Sequence, residues 1–73
     1  MRAFDKFKSR LSLLFGSRVV RMDPSIIGIR IHNAYEESLL RKELSNCNRI
    51  DFVSYRPNDD GTSNFYIYES CDR

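Results

Sequence analysis

Apolar residues along this chain follow two periods, and the clearest switch between them falls at Asn33. Ile27, Ile29 and Ile31 alternate with Gly28, Arg30 and His32, the period-two pattern of a strand with one β-branched face in a core. Asn33 can then accept a hydrogen bond from the free N–H groups of a new helix, and Glu36 stands three residues on to complete a capping box. The helix is expected to start at Ala34. Leu40, Leu44 and Cys47 follow at i, i+4 and i+7, with Leu39 and Tyr35 widening the apolar side. Glu37 and Arg41 are one turn apart in the favourable acid-first order, and the segment Asn46 to Asn48 ends the helix. Glu36 and Glu43 intrude on the apolar arc, so this helix is a thin cover for one sheet.

The same patterning organises both ends of the chain. Phe4, Phe7, Leu11 and Leu14 recur at helical spacing, with Lys6, Lys8 and Arg10 away from that stripe and Gly16 as a stop. Such a basic amphipathic helix serves three uses: docking on its own sheet, insertion in a membrane interface, or engagement of a partner. Val19 and Val20 read as a short strand, and Met22 to Ser25 as a turn into the isoleucine strand. Ile50 to Arg56 and Asn64 to Glu69 are strand-like runs around the acidic loop Pro57 to Gly61, which predicts a C-terminal hairpin. Within it Phe65 and Ile67 share one face and Tyr66 and Tyr68 the other, while Ile50 and Phe52 oppose Val53 and Tyr55.

These elements predict one α+β domain over residues 1–73. It has a small, largely antiparallel sheet, one capped amphipathic helix packed on it and an N-terminal basic amphipathic helix. Strand order stays open. Seventy-three residues bury only about 60–65% of the unfolded surface, and a core of this size supplies about 3–5 kcal/mol. A deep catalytic cleft is therefore not expected.

The tyrosine-bearing face has two readings. Either the first helix packs over it, with the hydroxyls reaching solvent at the rim, or it is an exposed platform for protein or for bases. The strands lack an RNP-type signature.

Charge adds a polarity. The net charge is +2, yet Arg2, Lys6, Lys8, Arg10, Arg18 and Arg21 face only Asp5 in the first 21 residues. This start carries +5 and the remainder −3, which suits an acidic or phosphate-bearing partner, two gripped surfaces, or plain solubility. Arg18 and Arg21 read as solvated cations whose reversal leaves the fold in place. Despite its basic, apolar beginning, the chain has Asp5, lysines inside the apolar run and no small-residue cleavage site, so an export signal is not expected.

Chemistry is sparse. Cys47 and Cys71 lack metal-ligand or disulfide-framework spacing and read as free thiols of a reducing cytosol. Cys47 with His32, the one histidine, is the only nucleophile–base pair imaginable, but Cys47 continues the leucine stripe and reads as core. Asn58, Asp59 and Asp60 lack the further ligands of an EF-hand. Asp51, Glu69 and Asp72 form no acid–base pair. No catalytic residue, metal ligand or cofactor is assigned, and residue chemistry alone names no function.

Three stretches, MRAFDKFKSRLSLLFGSRVVRMDPS, SIIGIRIHNAYEESLLRKEL and NFYIYES, together resemble the small RNA-polymerase-binding transcription regulators of lytic Xanthomonas phages. The resemblance covers the whole chain in size and makeup and contains no diagnostic motif. It implies a non-enzymatic, monomeric protein of the host cytoplasm, away from membranes, bound to host RNA polymerase near the β′ N terminus and the RNA exit channel. There it would hinder σ-dependent initiation, favour terminator readthrough and lie within reach of nascent RNA. On this reading Lys6, Lys8, Arg10, Arg18 and Arg21 steer the encounter, and Tyr55, Tyr66 and Tyr68 anchor it. The rival expectation is a nucleic-acid-binding module that uses the basic N-terminal region and the tyrosine face.

Overall fold

A computed structural model describes residues 3–70; Cys71 and Asp72 lie outside the described residues. The order is helix α1 (Ala3–Phe15), a 3-10 turn (Gly16–Arg18), strands β1 (Val19–Asp23) and β2 (Ile26–Ile31), helix α2 (Ala34–Ser45), and strands β3 (Ile50–Pro57) and β4 (Ser63–Glu69). The four strands form one antiparallel sheet in the order β1-β2-β4-β3. β2 and β3 therefore run parallel with β4 inserted between them, and α2 makes the crossover. This is the expected α+β fold, with the strand order now assigned.

Both helices cover the same face. Phe4, Phe7, Leu11 and Phe15 of α1 and Leu40 of α2 join Val19, Ile27, Ile29, Ile31, Phe65 and Ile67 in one buried cluster. The α1 stripe ends on Phe15 rather than the anticipated Leu14, which is exposed. Eleven residues separate Phe4 from Phe15, about three turns, so position 15 returns to the stripe and 14 falls roughly 100° off it. Gly16, at φ +69, then stops the helix in the left-handed region, which costs glycine nothing.

The capped helix begins as expected. Asn33 Oδ1 accepts the Glu36 backbone N–H at 2.9 Å, while Glu36 Oε1 reaches back to the N–H of His32, not Asn33, also at 2.9 Å. Tyr35 does not join the apolar arc and is 73% exposed.

Irregularities in the two edge strands decide which side chains meet. Between Arg21 and Asp23 the register shifts, so Met22 is an extra residue in β1. Met22 and Asp23 thus belong to the strand, leaving Pro24 and Ser25 as the turn, with Asp23 Oδ1 accepting the Ser25 N–H. A second shift lies between Ile50 and Phe52. It puts Ile50 on the covered side with Val53, both packed against the core, and Phe52 opposite Tyr68 on the other side. Strict alternation had paired Ile50 with Phe52; a bulge at Asp51 exchanges the faces.

Candidate functional site

The face of the sheet away from the helices has no cover among the described residues. Its cross-strand rows are Arg30–Asn64–Arg56, Gly28–Tyr66–Ser54 and Ile26–Tyr68–Phe52, with Val20 beside Gly28. Val20, Met22 and Phe52 are 54%, 58% and 53% exposed. The expectation that the first helix packs over the tyrosines is therefore corrected: α1 lies on the isoleucine face, because all four of its large buried side chains are spent there.

A groove of about 510 Å³ runs along the β1 side of this free face. Val20, Met22, Gly28 and Tyr66 provide its apolar part, and Arg18, Arg30 and His32 stand along it with Asn64. Gly28 makes the floor low. A Cβ there would come within 2.7 Å of Met22 Sδ and in ordinary contact with Tyr66 Cδ1 at 3.6 Å, so glycine lets the Met22 side chain lie across the backbone where a larger residue would push it aside. On the β3 side, the rings of Phe52 and Tyr68 stack with centroids 4.3 Å apart and planes 9° apart.

The anticipated binding residues are divided by this architecture. Tyr66 and Tyr68 are on the free face. Tyr55 is on the covered side at the sheet edge, edge-on to Phe65 with centroids 5.0 Å apart, its hydroxyl 3.3 Å from Ser63 Oγ. Arg10 pairs with the buried Glu43 of α2, and Arg21 pairs with Asp5 of α1. Arg18 grips Glu36 through both guanidinium NH2 groups, at 2.8 and 2.9 Å, and lies over the Phe15 ring. The two glutamates that intruded on the apolar arc of α2 are thus the sockets for arginines from the N-terminal region. Lys6 and Lys8 make no ion pair among the described residues.

These pairings have electrostatic consequences. Arg18, together with the His32 N–H, holds the Glu36 carboxyl down to about 2; Arg18 itself is raised by its bond to Glu36. Arg18 therefore ties the end of the 3-10 turn to the first turn of α2. Reversing its charge would set two carboxylates together, contrary to the reading of Arg18 as a solvated cation.

No reactive constellation is assembled by the described residues. His32 and Cys47 stand at opposite ends of α2, whose twelve residues span about 18 Å, and Cys47 packs against the core. In the β3–β4 loop, Asp60 accepts both the hydroxyl and the N–H of Thr62, which lowers its pKa and closes the loop. No group of three or more His, Cys, Asp or Glu among the described residues is placed to hold a metal. No helix of these residues is long and apolar enough to cross a membrane.

Sequence reasoning did not single out Val20, Met22, Gly28, Arg30, Phe52 or Arg56. Only the spacing of Phe52 to the tyrosines carried a signal, and the bulge at Asp51 hid it. Comparisons with protein-family models, curated proteins and solved structures find no match to this chain.

Proposed function

We propose that this protein is a non-enzymatic phage regulator that binds host RNA polymerase near the β′ N terminus and the RNA exit channel. It acts there as a monomer in the host cytoplasm, inhibiting σ-dependent initiation and promoting terminator readthrough. The observation that carries a binding role is the helix-free face of the sheet, where exposed Val20 and Met22 flank Gly28 and Tyr66. A domain this small gains nothing in folding from leaving such side chains in water, whereas a partner surface gains from covering them. The identity of the partner is supported by the resemblance of the whole chain to polymerase-binding phage regulators.

The β1 side of the face is the proposed polymerase contact, with Val20, Met22 and Tyr66 as apolar anchors and Arg30 at the margin. This changes the roles of the basic residues. Arg10, Arg18 and Arg21 are held by acids of the same chain, so Lys6 and Lys8 remain for steering, an effect on association rate more than on affinity.

Purified Xanthomonas RNA polymerase holoenzyme, passed over the tagged protein, tests the proposal. Retention of polymerase together with inhibition of a σ-dependent promoter is the expected result. A wild-type protein that retains no polymerase would refute it. The rival reading, a nucleic-acid module with no polymerase partner, is favoured by the Phe52–Tyr68 stack and predicts oligonucleotide binding without polymerase retention.

A further inference from the structure

We infer that the β3 side of the free sheet face is a binding track for single-stranded RNA, beside the polymerase contact and bordering it at Arg30 and Tyr66. It rests on the reading above only for the source of the RNA, the transcript leaving the polymerase.

Three observations define the track. Phe52 and Tyr68 are stacked face to face and Phe52 is half in water. A base laid on the outer face of the Phe52 ring extends the two-ring stack to three, which any base can do. Second, the row Arg30–Asn64–Arg56 sets two cations on either side of an amide. Arg56 is four residues along β3 from Phe52, about 13 Å, so bases on the rings and phosphates on the arginines belong to one short run of nucleotides.

Third, where they cross β2, β4 and β3 the three rows hold cations and no carboxylate; Asp23 of β1 stands beside Ile26, its Oδ1 accepting the Ser25 N–H. Asp51 lies in the bulge before Phe52, and Asp60 lies in the loop beyond the arginine row, close enough for the charge of Arg30 to act on it. Acids thus lie outside both ends of the strip, and its positive charge is gathered on the arginine row.

The chemistry between the two ends selects RNA. Ser54 and the Tyr66 hydroxyl place neutral donors and acceptors between the rings and the cations, and Asn64 adds an amide between the two arginines. Such groups can bond base edges and the ribose 2′-hydroxyl, the group that separates RNA from DNA. A folded protein surface, by contrast, would have to leave Arg30 and Arg56 facing its own desolvated groups.

The test is a titration of fluorescein-labelled ten-nucleotide oligouridine with the full chain, read by anisotropy at several salt concentrations in the absence of polymerase. Saturable binding is expected, stronger for RNA than for DNA of the same sequence. With two neutralised phosphates, log affinity should fall against log salt with a slope of about −1.4. Phe52→Ala should weaken binding about fivefold or more. Arg56→Gln, a change at an exposed position, should weaken it and reduce the slope by about 0.7. Leu13→Ser, on the helical side of the molecule, should leave RNA affinity unchanged. Absence of saturable binding by the wild type, equal affinity for RNA and DNA, or unchanged binding by both Phe52→Ala and Arg56→Gln would overturn the inference. Because polymerase retention is measured separately, RNA binding without retention would sink the polymerase reading alone, and retention without RNA binding the track alone.

Discussion

The two faces of this sheet carry comparable apolar side chains and meet opposite fates. On the covered face, Ile27, Ile29, Ile31, Phe65 and Ile67 are at most 2% exposed, sealed by α1 and α2. On the free face, Val20, Met22 and Phe52 keep more than half their surface in water. The difference teaches that burial in a small domain is limited by the number of covering stripes. α1 has one apolar stripe and α2 a thinner one interrupted by Glu36 and Glu43, and together they cover one face. What lies on the other face contributes little to folding, which leaves it for the binding role proposed above.

The comparison is broken most severely from the covered side. Leu40 is fully buried at the centre of α2, and Leu40→Ala should cost about 2–5 kcal/mol, as much as the whole domain is expected to have. Urea titration followed by circular dichroism should find the variant largely unfolded without denaturant.

The Arg18–Glu36 clamp should have an intermediate effect. Glu36 has a depressed folded-state pKa, so its contribution is full above the ordinary carboxylate value of 4.5 and is lost as pH falls toward about 2. At neutral pH, Glu36→Gln should cost roughly 1–2 kcal/mol after allowance for partial solvent screening. Between pH 5 and 2, on the order of that window, the wild-type thermal midpoint should fall more steeply than that of the variant. Arg18→Glu should be worse than Glu36→Gln, since it adds a repulsion to the lost bond. Parallel midpoint curves for wild type and Glu36→Gln would show that the clamp does not contribute.

Changes on the free face should barely register in stability. Phe52→Ala loses one ring stack, about 0.5–1.5 kcal/mol, and Met22→Ser should stay within about 0.5 kcal/mol. A calorimetric midpoint drop in Met22→Ser as large as that in Leu40→Ala would show that the free face belongs to the core.

Much of the covered face was legible in the sequence because its signals are local. The Ile27–Ile29–Ile31 alternation, the Asn33 cap and the Leu40 stripe each lie within a few residues of their cause. The end of the α1 stripe was misplaced by one residue, on Leu14 instead of Phe15, although the helical period returns to position 15 after three turns. The free face was not legible, for three reasons. The choice of sheet face by α1 is settled by packing between distant segments. The bulges at Met22 and Asp51 change side-chain parity without any turn residue to announce them. The pairing of Arg10, Arg18 and Arg21 with Glu43, Glu36 and Asp5 joins residues 33, 18 and 16 positions apart, so a cluster that reads as a free basic patch is largely neutralised within the chain.

That the free face is the polymerase-binding surface is tested most directly by placing one new charge on each side of the molecule. Met22→Asp charges the free face, while Leu13→Asp charges α1 at a leucine that is 88% exposed and points away from the sheet. Retention of purified host polymerase by the two variants, with folding checked by circular dichroism, should be lost for Met22→Asp and unchanged for Leu13→Asp. Retention by Met22→Asp together with loss in Leu13→Asp would contradict the account and move the contact to the helical side.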